Sequence, residues 1–429
     1  MIRKKAIGCL AATLTMISGA VMAAPSAQAQ PQKWSQTITT YDEVVPPPVG
    51  STIDRATLLQ SFGLSSKVRP QSATTEDEIS VKRKQLGEFV IVDPAEQEPP
   101  PVASTLDDDL EKCKTAPGAA DDGGEYGNTW NWCHRINGIS VWGVGNQVKG
   151  TLTWTQVTTA RVQGGSRDFG VKFTAYNFKP SGDFNVNSRL ETGLVLDNGT
   201  GGECQIQDSQ NPAVLTVSEW SNPSGYATWN VKCPETGDFI ELRNMTGVNI
   251  ATITPDAPNA EWAWGAANTV RQDSAPYFSQ KLASSFPLVY KVFPHRVTGT
   301  DYNAVSQHIK EFYDAYPSAP GNFNTLVSDE ASAFPLERNY AAWNDEAGQV
   351  ERGNTNAKNR ECALLPPHQP GEECDEFPFN STREGGNSGG DFSVKYIPGG
   401  ENSKGGFYLA DCYLKARTLH LDPFYVWAY

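Results

Sequence analysis

The chain has 429 residues, of which 20% are charged and 38% hydrophobic, with 38 glycines and 29 prolines. This composition excludes an integral membrane protein, a coiled coil and a wholly disordered chain. The 49 acidic residues outnumber the 35 basic ones and give a net charge of -14, which argues against a general polyanion-binding protein because such surfaces are basic.

The N-terminus has the pattern of a secretory signal peptide over residues 1–29. Three basic residues precede an apolar run, and small residues follow it. Cleavage fits after Ala23 or after Ala29. A retained membrane anchor is the alternative, but the apolar run is short for a bilayer span and polar residues interrupt it. The sequence therefore predicts a protein that is secreted to the extracellular space and has no membrane partner.

Export decides how the cysteines are interpreted. Disulfides are the default in an oxidising compartment, and no cysteine or histidine spacing typical of a zinc site occurs. Proximity along the chain predicts the pairs Cys113–Cys133, Cys204–Cys233 and Cys362–Cys374, with Cys412 left over as a buried thiol.

Residues 30–110 form a polar, acidic segment that two runs of three prolines interrupt. Its apolar residues are scattered. We predict a Pro-rich, acidic, flexible or extended leader.

Residues 111–298 change to the alternating pattern of β-strands. Val148, Leu152 and Trp154 share a face opposite Thr151, which predicts a half-buried strand. Clusters of Gly, Asn and Pro separate such runs at the spacing of an all-β sandwich. We predict an all-β accessory domain.

The accessory domain is rich in tryptophan, which allows two interpretations. Exposed indole faces are stacking platforms for sugars, and buried ones are core. A glycan or a protein partner of this domain therefore stays open beside a purely structural role.

A helical pattern begins near Asp301. Val305, Ile309 and Phe312 lie on one apolar stripe, Asp301 is a fair N-cap, and prolines follow the pattern. We place the start of a C-terminal domain, residues 299–429, at this helix.

Acidic residues crowd the segment 372–401, beside aromatic residues and a predicted strand from Phe392 to Ile397. Such carboxylates are costly beside apolar residues unless a cation or hydrogen-bond donors neutralise them. Oxygen ligands suit magnesium, calcium or manganese. A metal site is one interpretation, and a solvated acidic loop is the other.

Five sequence blocks in this domain have a common order and spacing. They are CDEFPF at 374–379, ST at 381–382, EGG at 384–386, ENSKGG at 401–406 and DPFYV at 422–426. In these blocks the C-terminal region resembles the secreted NucA/NucB-type deoxyribonucleases. The resemblance does not extend to the β-rich region.

The resemblance implies a hydrolase that cleaves DNA phosphodiester bonds as an endonuclease, with a divalent cation, magnesium or manganese. It implies a small α+β core similar to the ββα-metal nucleases, in which a helix after two strands supplies an asparagine ligand. It implies catalytic roles for Asp375, Glu376 and Glu384, with Asp375 as the general base, and a metal site at Asn402 and Glu401. Phosphate contacts are expected from three basic residues, Arg383, Lys395 and Lys404.

Two features depart from simple expectations. Lys404 stands where the family often has Gln, and His368 is expected to be structural rather than catalytic. The GNSGGD run at 386–391 is similar to the nucleophile turn of trypsin-like proteases. Its acidic position is Asn387, however, and a triad also needs a base and an orienting carboxylate, so we do not predict a protease.

The sequence therefore predicts a multidomain protein with an all-β sandwich-like domain and a small α+β, ββα-metal-like nuclease module. The expected function is that of a secreted, metal-dependent, non-specific deoxyribonuclease with DNA as its substrate. The alternatives are a secreted binding protein with a degenerate nuclease module and a secreted nuclease toxin.

Overall fold

The computed structural model describes residues 32–40, 45–53, 89–92, 106–120, 124–196, 203–207, 210–235, 240–252, 263–286, 290–328 and 333–429. The predicted signal peptide, residues 1–29, lies outside the described residues. Within these ranges, no helix is both long and apolar enough to cross a membrane.

The described chain is mostly β. Its strands are β1 (Lys33–Thr40), β2 (Phe89–Ile91), β3 (Glu125–Asn128), β4 (Asn131–Val144), β5 (Gln147–Val162), β6 (Phe169–Gly182), β7 (Arg189–Leu196), β8 (Gln205–Ile206), β9 (Ala213–Thr216), β10 (Tyr226–Lys232), β11 (Ile240–Thr252), β12 (Ala263–Ser274), β13 (Leu282–Ser285), β14 (Tyr290–His295), β15 (Leu336–Glu337), β16 (Glu372–Phe377), β17 (Ser393–Pro398) and β18 (Pro423–Ala428). Its α-helices are α1 (Leu106–Thr115), α2 (Val217–Trp220), α3 (Asn303–Ala315), α4 (Phe323–Ser328), α5 (Asp345–Cys362) and α6 (Gly399–Lys415). A short 3₁₀ turn follows α1 at Pro117–Ala120.

Two antiparallel sheets make up the β-rich part. The first has the order β1-β4-β5-β6-β10-β8, with β3 beside β4, and the second has the order β13-β12-β11-β7-β9. Buried residues of both sheets, such as Phe173 and Leu190, belong to one hydrophobic cluster. The shared core accounts for the alternating pattern in the sequence.

Strand β5 departs from the predicted half-buried strand in two ways. Thr151 is only 1% exposed, so the polar face is covered as well. Val148 lies in a different hydrophobic cluster from Leu152 and Trp154. The ladder shifts between these residues, because Val148 faces Gly143 while Gly150 faces Trp142. The extra residue, Lys149, moves the following side chains to the other face.

Most of the tryptophans of the β-rich part whose side chains are described are core residues, and Trp34 in β1 is partly buried. Six of them are at most 5% exposed, namely Trp130, Trp132, Trp142, Trp154, Trp220 and Trp229. These six therefore do not form the sugar-stacking platforms that the sequence left open.

Part of the predicted flexible leader is regular structure. Strand β1 pairs with β4 over its whole length. Strand β2 runs parallel to β14 and pairs with it. In these two stretches the predicted flexible or extended leader is extended, and each stretch has its ladder partner in another part of the chain.

A third sheet, of order β15-β18-β14-β2, lies in the C-terminal part. Strand β14 is parallel to both β2 and β18, and β15 is antiparallel to β18. The sequence analysis assigns residues 290–295 to the all-β domain, yet they pair with β18, which contains most of the DPFYV block of the nuclease-like segment.

Helix α3 contacts both the hairpin β16–β17 and helix α6. Its residues Val305, Ile309 and Phe312 are buried, as the apolar stripe predicted. The prediction of Asp301 as N-cap is wrong, because the N-cap is Tyr302, which makes no side-chain capping bond. The carboxylate of Glu401 instead accepts a hydrogen bond of 2.7 Å from the Ala304 backbone N–H.

The disulfide prediction is confirmed. The three bridges are Cys113–Cys133, Cys204–Cys233 and Cys362–Cys374. Cys412 is outside these bridges and is fully buried.

Candidate active site

The hairpin β16–β17 presents two faces, and helix α6 follows it directly. Asp375 lies opposite Lys395 in the antiparallel ladder. Because side chains alternate along a strand, Glu373, Asp375 and Phe377 share one face, and Glu376 lies on the other. The hairpin therefore separates the adjacent acidic residues 375 and 376.

Phe377 fixes the first face against helix α3. Its ring centroid lies 5.2 Å from that of Phe312 and 5.2 Å from that of Tyr313, in edge-to-face geometry. A third ring, Phe379, lies 4.9 Å away. Edge-to-face aromatic pairs stabilise a fold by more than the burial of their apolar area. These contacts therefore fix the position of strand β16 along helix α3.

Asp375 is only 8% exposed and contacts a histidine of α3. Its Oδ2 lies 2.8 Å from Nδ1 of His308, and Nε2 of the same ring lies 2.7 Å from Oγ of Ser393. A carboxylate at one ring nitrogen orients the imidazole. The three side chains therefore form one hydrogen-bonded chain from Asp375 through His308 to Ser393.

The junction between β17 and α6 carries a second polar group. Nδ2 of Asn402 donates to Oε2 of Glu373 at 3.2 Å. A Cβ atom on Gly399 would lie 2.9 Å from Cδ of Glu373, so glycine at the start of α6 leaves room for this carboxylate. The predicted ligand Glu401 lies in the same first turn, and one of its oxygens caps α3.

Glu376 points to helix α5. Its Oε2 lies 3.1 Å from Nζ of Lys358. Burial raises the pKa of Glu376, and the charge of Lys358 opposes that rise. The Cys362–Cys374 bridge ties the same face of the hairpin to the end of α5.

Glu384 lies in the loop between the two strands of the hairpin. Its Oε2 accepts a hydrogen bond of 2.9 Å from the backbone N–H of Glu337 in β15, and burial raises its pKa although this backbone bond opposes the rise. Asn354 of α5 holds the loop as well, because its Nδ2 donates to the carbonyl of Thr382 at 2.9 Å and its Oδ1 accepts from Asn387 N–H at 3.0 Å. In this geometry Glu384 holds the loop in place.

The motif glycines allow close packing. A Cβ on Gly385 would lie 2.4 Å from the Asn354 side chain. A Cβ on Gly405 would lie 2.7 Å from Val305, so this glycine lets α6 pack closely on α3. Gly385 of the EGG block and Gly405 of the ENSKGG block therefore have a packing role beside the polar residues of these blocks.

Each predicted phosphate-binding residue has a carboxylate neighbour. Lys395 lies 2.5 Å from Glu311, and Lys404 lies 2.8 Å from Asp301. Arg383 lies 3.9 Å from the carboxylates of both Glu337 and Glu346. These pairs are substantially exposed, so a phosphate group can compete for the cations at low cost.

The comparison with known families decides how this site is interpreted. The family model described as deoxyribonuclease NucA/NucB matches residues 328–427. The resemblance seen in the sequence is thereby confirmed for the C-terminal region. Searches of the curated proteins and of the solved structures found no match.

The NucA/NucB region, residues 328–427, contains Asp375, Ser393 and Asn402, but His308 lies before it. Sequence reasoning missed His308 because it stands beside Ile309 on an apolar stripe, where a histidine is usually a core residue. His368, which was predicted to be structural, is exposed and packs on Tyr396, with 4.8 Å between ring centroids. What identifies His308 as a candidate site residue is structural: it lies on the face of α3 that contacts the hairpin.

The donor atoms at the junction suit a hard divalent cation. Among the described residues, no group of three or more His, Cys, Asp or Glu side chains converges as a metal cage. Magnesium, however, keeps several waters and binds through one or two carboxylates together with substrate phosphates. Glu373, Glu401 and Asn402 at this junction carry oxygen atoms of the type that such an ion prefers.

Proposed function

We propose that the protein is an exported, metal-dependent deoxyribonuclease that cleaves DNA without sequence specificity. The observation that carries this proposal is the Asp375–His308–Ser393 chain on the hairpin face that leads to Asn402, within and beside a region that matches a deoxyribonuclease family. Export is supported by the signal-peptide pattern of residues 1–29 and by three disulfides, which are typical of oxidising compartments.

Asn402 and Glu373 would hold a magnesium or manganese ion, and this ion would supply polarisation of the phosphate that is attacked. Glu401 and Glu384 would support the surrounding chain. The attacking water would give its proton to the Ser393 hydroxyl, which would pass its own proton to Nε2 of His308, while Asp375 accepts the Nδ1–H bond and keeps the ring in its orientation. Glu376 pairs with Lys358 on the other face of the hairpin, and we propose a supporting role for it.

The test is nicking of supercoiled plasmid by the purified full chain. We expect cleavage with magnesium or manganese, none in EDTA, and a loss of about 10²- to 10⁴-fold in Asp375→Asn, since general-base catalysis usually contributes this factor. Asn402→Ala should require more metal for the same rate.

Asp391→Asn is the matched control, because Asp391 is an exposed carboxylate in the loop between β16 and β17. It should cleave at the wild-type rate. A folded wild-type protein that leaves plasmid intact with both metals would overturn the proposal.

A further inference from the structure

The C-terminal end of helix α6 is held by side chains from outside the NucA/NucB region. Nε1 of Trp130 donates to the carbonyl of Lys415 at 2.9 Å. The carbonyl of Arg417 accepts from Nη2 of Arg271 at 2.8 Å and from Nζ of Lys291 at 3.3 Å. The last carbonyls of a helix have no partner within it, and Trp130 supplies a donor to the carbonyl of Lys415, the last residue of α6. Arg271 and Lys291 instead bind Arg417, the residue after the C-cap Ala416, and place two cations beside the negative end of the helix dipole.

Buried ion pairs with strands β12 and β14 fix the loop after α6. Asp422 accepts two hydrogen bonds from Nη1 of Arg271, at 2.8 and 2.7 Å, and one from Nζ of Lys291 at 2.7 Å. Nη2 of Arg417 lies 2.6 Å from Oδ1 of Asp273 in β12. These side chains are at most 12% exposed, and each buried charge therefore depends on its partner.

We infer that Trp130, Arg271 and Lys291, which all precede the NucA/NucB region in the chain, are positioning residues of the nuclease that orient helix α6. This inference rests on the proposed function in one respect, the role of Asn402 and Glu401 in the first turn of that helix. Strands β12 and β14 thereby complete the nuclease region.

The contacts of Trp130, Arg271 and Lys291 at the C-terminal end of α6 are called the anchor. The length of α6 explains how this anchor can affect the first turn of the helix. A helix of 17 residues is about 25 Å long. A tilt of about 5° at its anchored end would move the first turn by about 2 Å. A misplacement of about 1 Å at a reacting group can cost about a hundredfold in rate. Contacts at the far end of α6 therefore control the position of Asn402.

Lys291→Met tests the anchor in the full chain. The variant keeps the aliphatic stem, and Asp422 retains its two bonds from Arg271, so the fold should survive. Trp130→Phe is the second variant, because it removes the donor to Lys415 and keeps an aromatic ring in the core. Lys291→Arg is the conservative rescue.

Arg161→Met is the matched control. Its partner Asp109 lies 2.7 Å away in a pair that is 16% and 14% exposed, and this pair joins α1 to β5. The substitution removes a partly buried, ion-paired cation from the β-rich part without touching α6.

Two measurements distinguish the anchor from general stability. In folded Lys291→Met and Trp130→Phe we expect hydrogen exchange over residues 399–415 to rise at least about tenfold. We also expect kcat to fall about tenfold at an almost unchanged KM. Lys291→Arg should restore both, and Arg161→Met should change neither.

Unchanged exchange of α6 in both folded variants would overturn the inference, and so would an equal effect in Arg161→Met. Exchange is read without DNA. If the wild type cuts no DNA, the proposed function fails while exchange still decides whether the anchor exists.

Discussion

At the scale of single residues, His308 joins two parts of the chain that the sequence separates. It lies in helix α3, before the NucA/NucB region, and its ring bridges Asp375 and Ser393 of the hairpin. Helix α3 therefore contributes a side chain to the site as well as packing against it.

His308→Gln should lower the rate of plasmid nicking by about 10²- to 10⁴-fold, because the amide cannot take up a proton. Thermal unfolding should change little, since glutamine can still hydrogen bond with Asp375. His368→Gln is the control, and it should leave the rate unchanged. A His308→Gln protein with half the wild-type rate would show that the imidazole is not used.

Asp422 gives stability a defined dependence on pH. Burial alone would raise its pKa, but the charges of Arg271 and Lys291 hold the pKa far below its usual value of 3.8. A carboxyl whose pKa is lowered by folding stabilises the protein above the pKa of the unfolded chain, and this contribution is lost as the pH falls below that value.

The free energy of unfolding of the wild type should therefore fall steeply as the pH drops from about 4 to about 2.5. Urea denaturation at a series of pH values measures this slope. Asp422→Asn should be less stable at pH 6 and should show a shallower slope in the acid range. Equal slopes for the two proteins would contradict the role of Asp422.

At the scale of elements, the sequence predicted those helices and strands whose pattern is complete within a few neighbouring residues. The apolar stripe of α3 and the strand near 393–398 were found because their periodicity is visible within a few residues. Strands β1 and β2 were missed because their stability comes from partners far along the chain. β2 has three residues, and its partner β14 begins at Tyr290.

The candidate site shows the same contrast between what nearby residues determine and what distant partners determine. The blocks of the NucA/NucB region placed Asp375 and Asn402 in the sequence, but their partners His308 and Glu373 required the packing of α3 and α6 on the hairpin. The separation of Asp375 from Glu376 follows from strand alternation alone. It could have been predicted once residues 372–377 were assigned to a strand.

At the scale of the whole molecule, the acidic balance bears on DNA binding. The net charge is -14, and the cations expected to contact phosphate already have carboxylate neighbours. Binding then exchanges one anion for another, so few counterions are released from DNA. Affinity should be modest and its salt dependence shallow.

Fluorescence anisotropy of a DNA duplex with the Asp375→Asn protein in EDTA measures this dependence. We expect log K to fall with log salt at a slope no steeper than about -3, which corresponds to about three neutralised phosphates. Glu311→Gln releases Lys395 and should steepen the slope by about one. A wild-type slope near -8 would mean that a basic surface other than these residues binds DNA.

The order of the third sheet has a consequence for biosynthesis. Strand β18 lies between β14 and β15 in that sheet, although it follows both of them along the chain. Synthesis at about 5–20 residues per second delivers β18 roughly ten seconds after β14. During that interval the nascent chain carries an unfinished sheet edge, and we expect the third sheet to close only after β18 has been made.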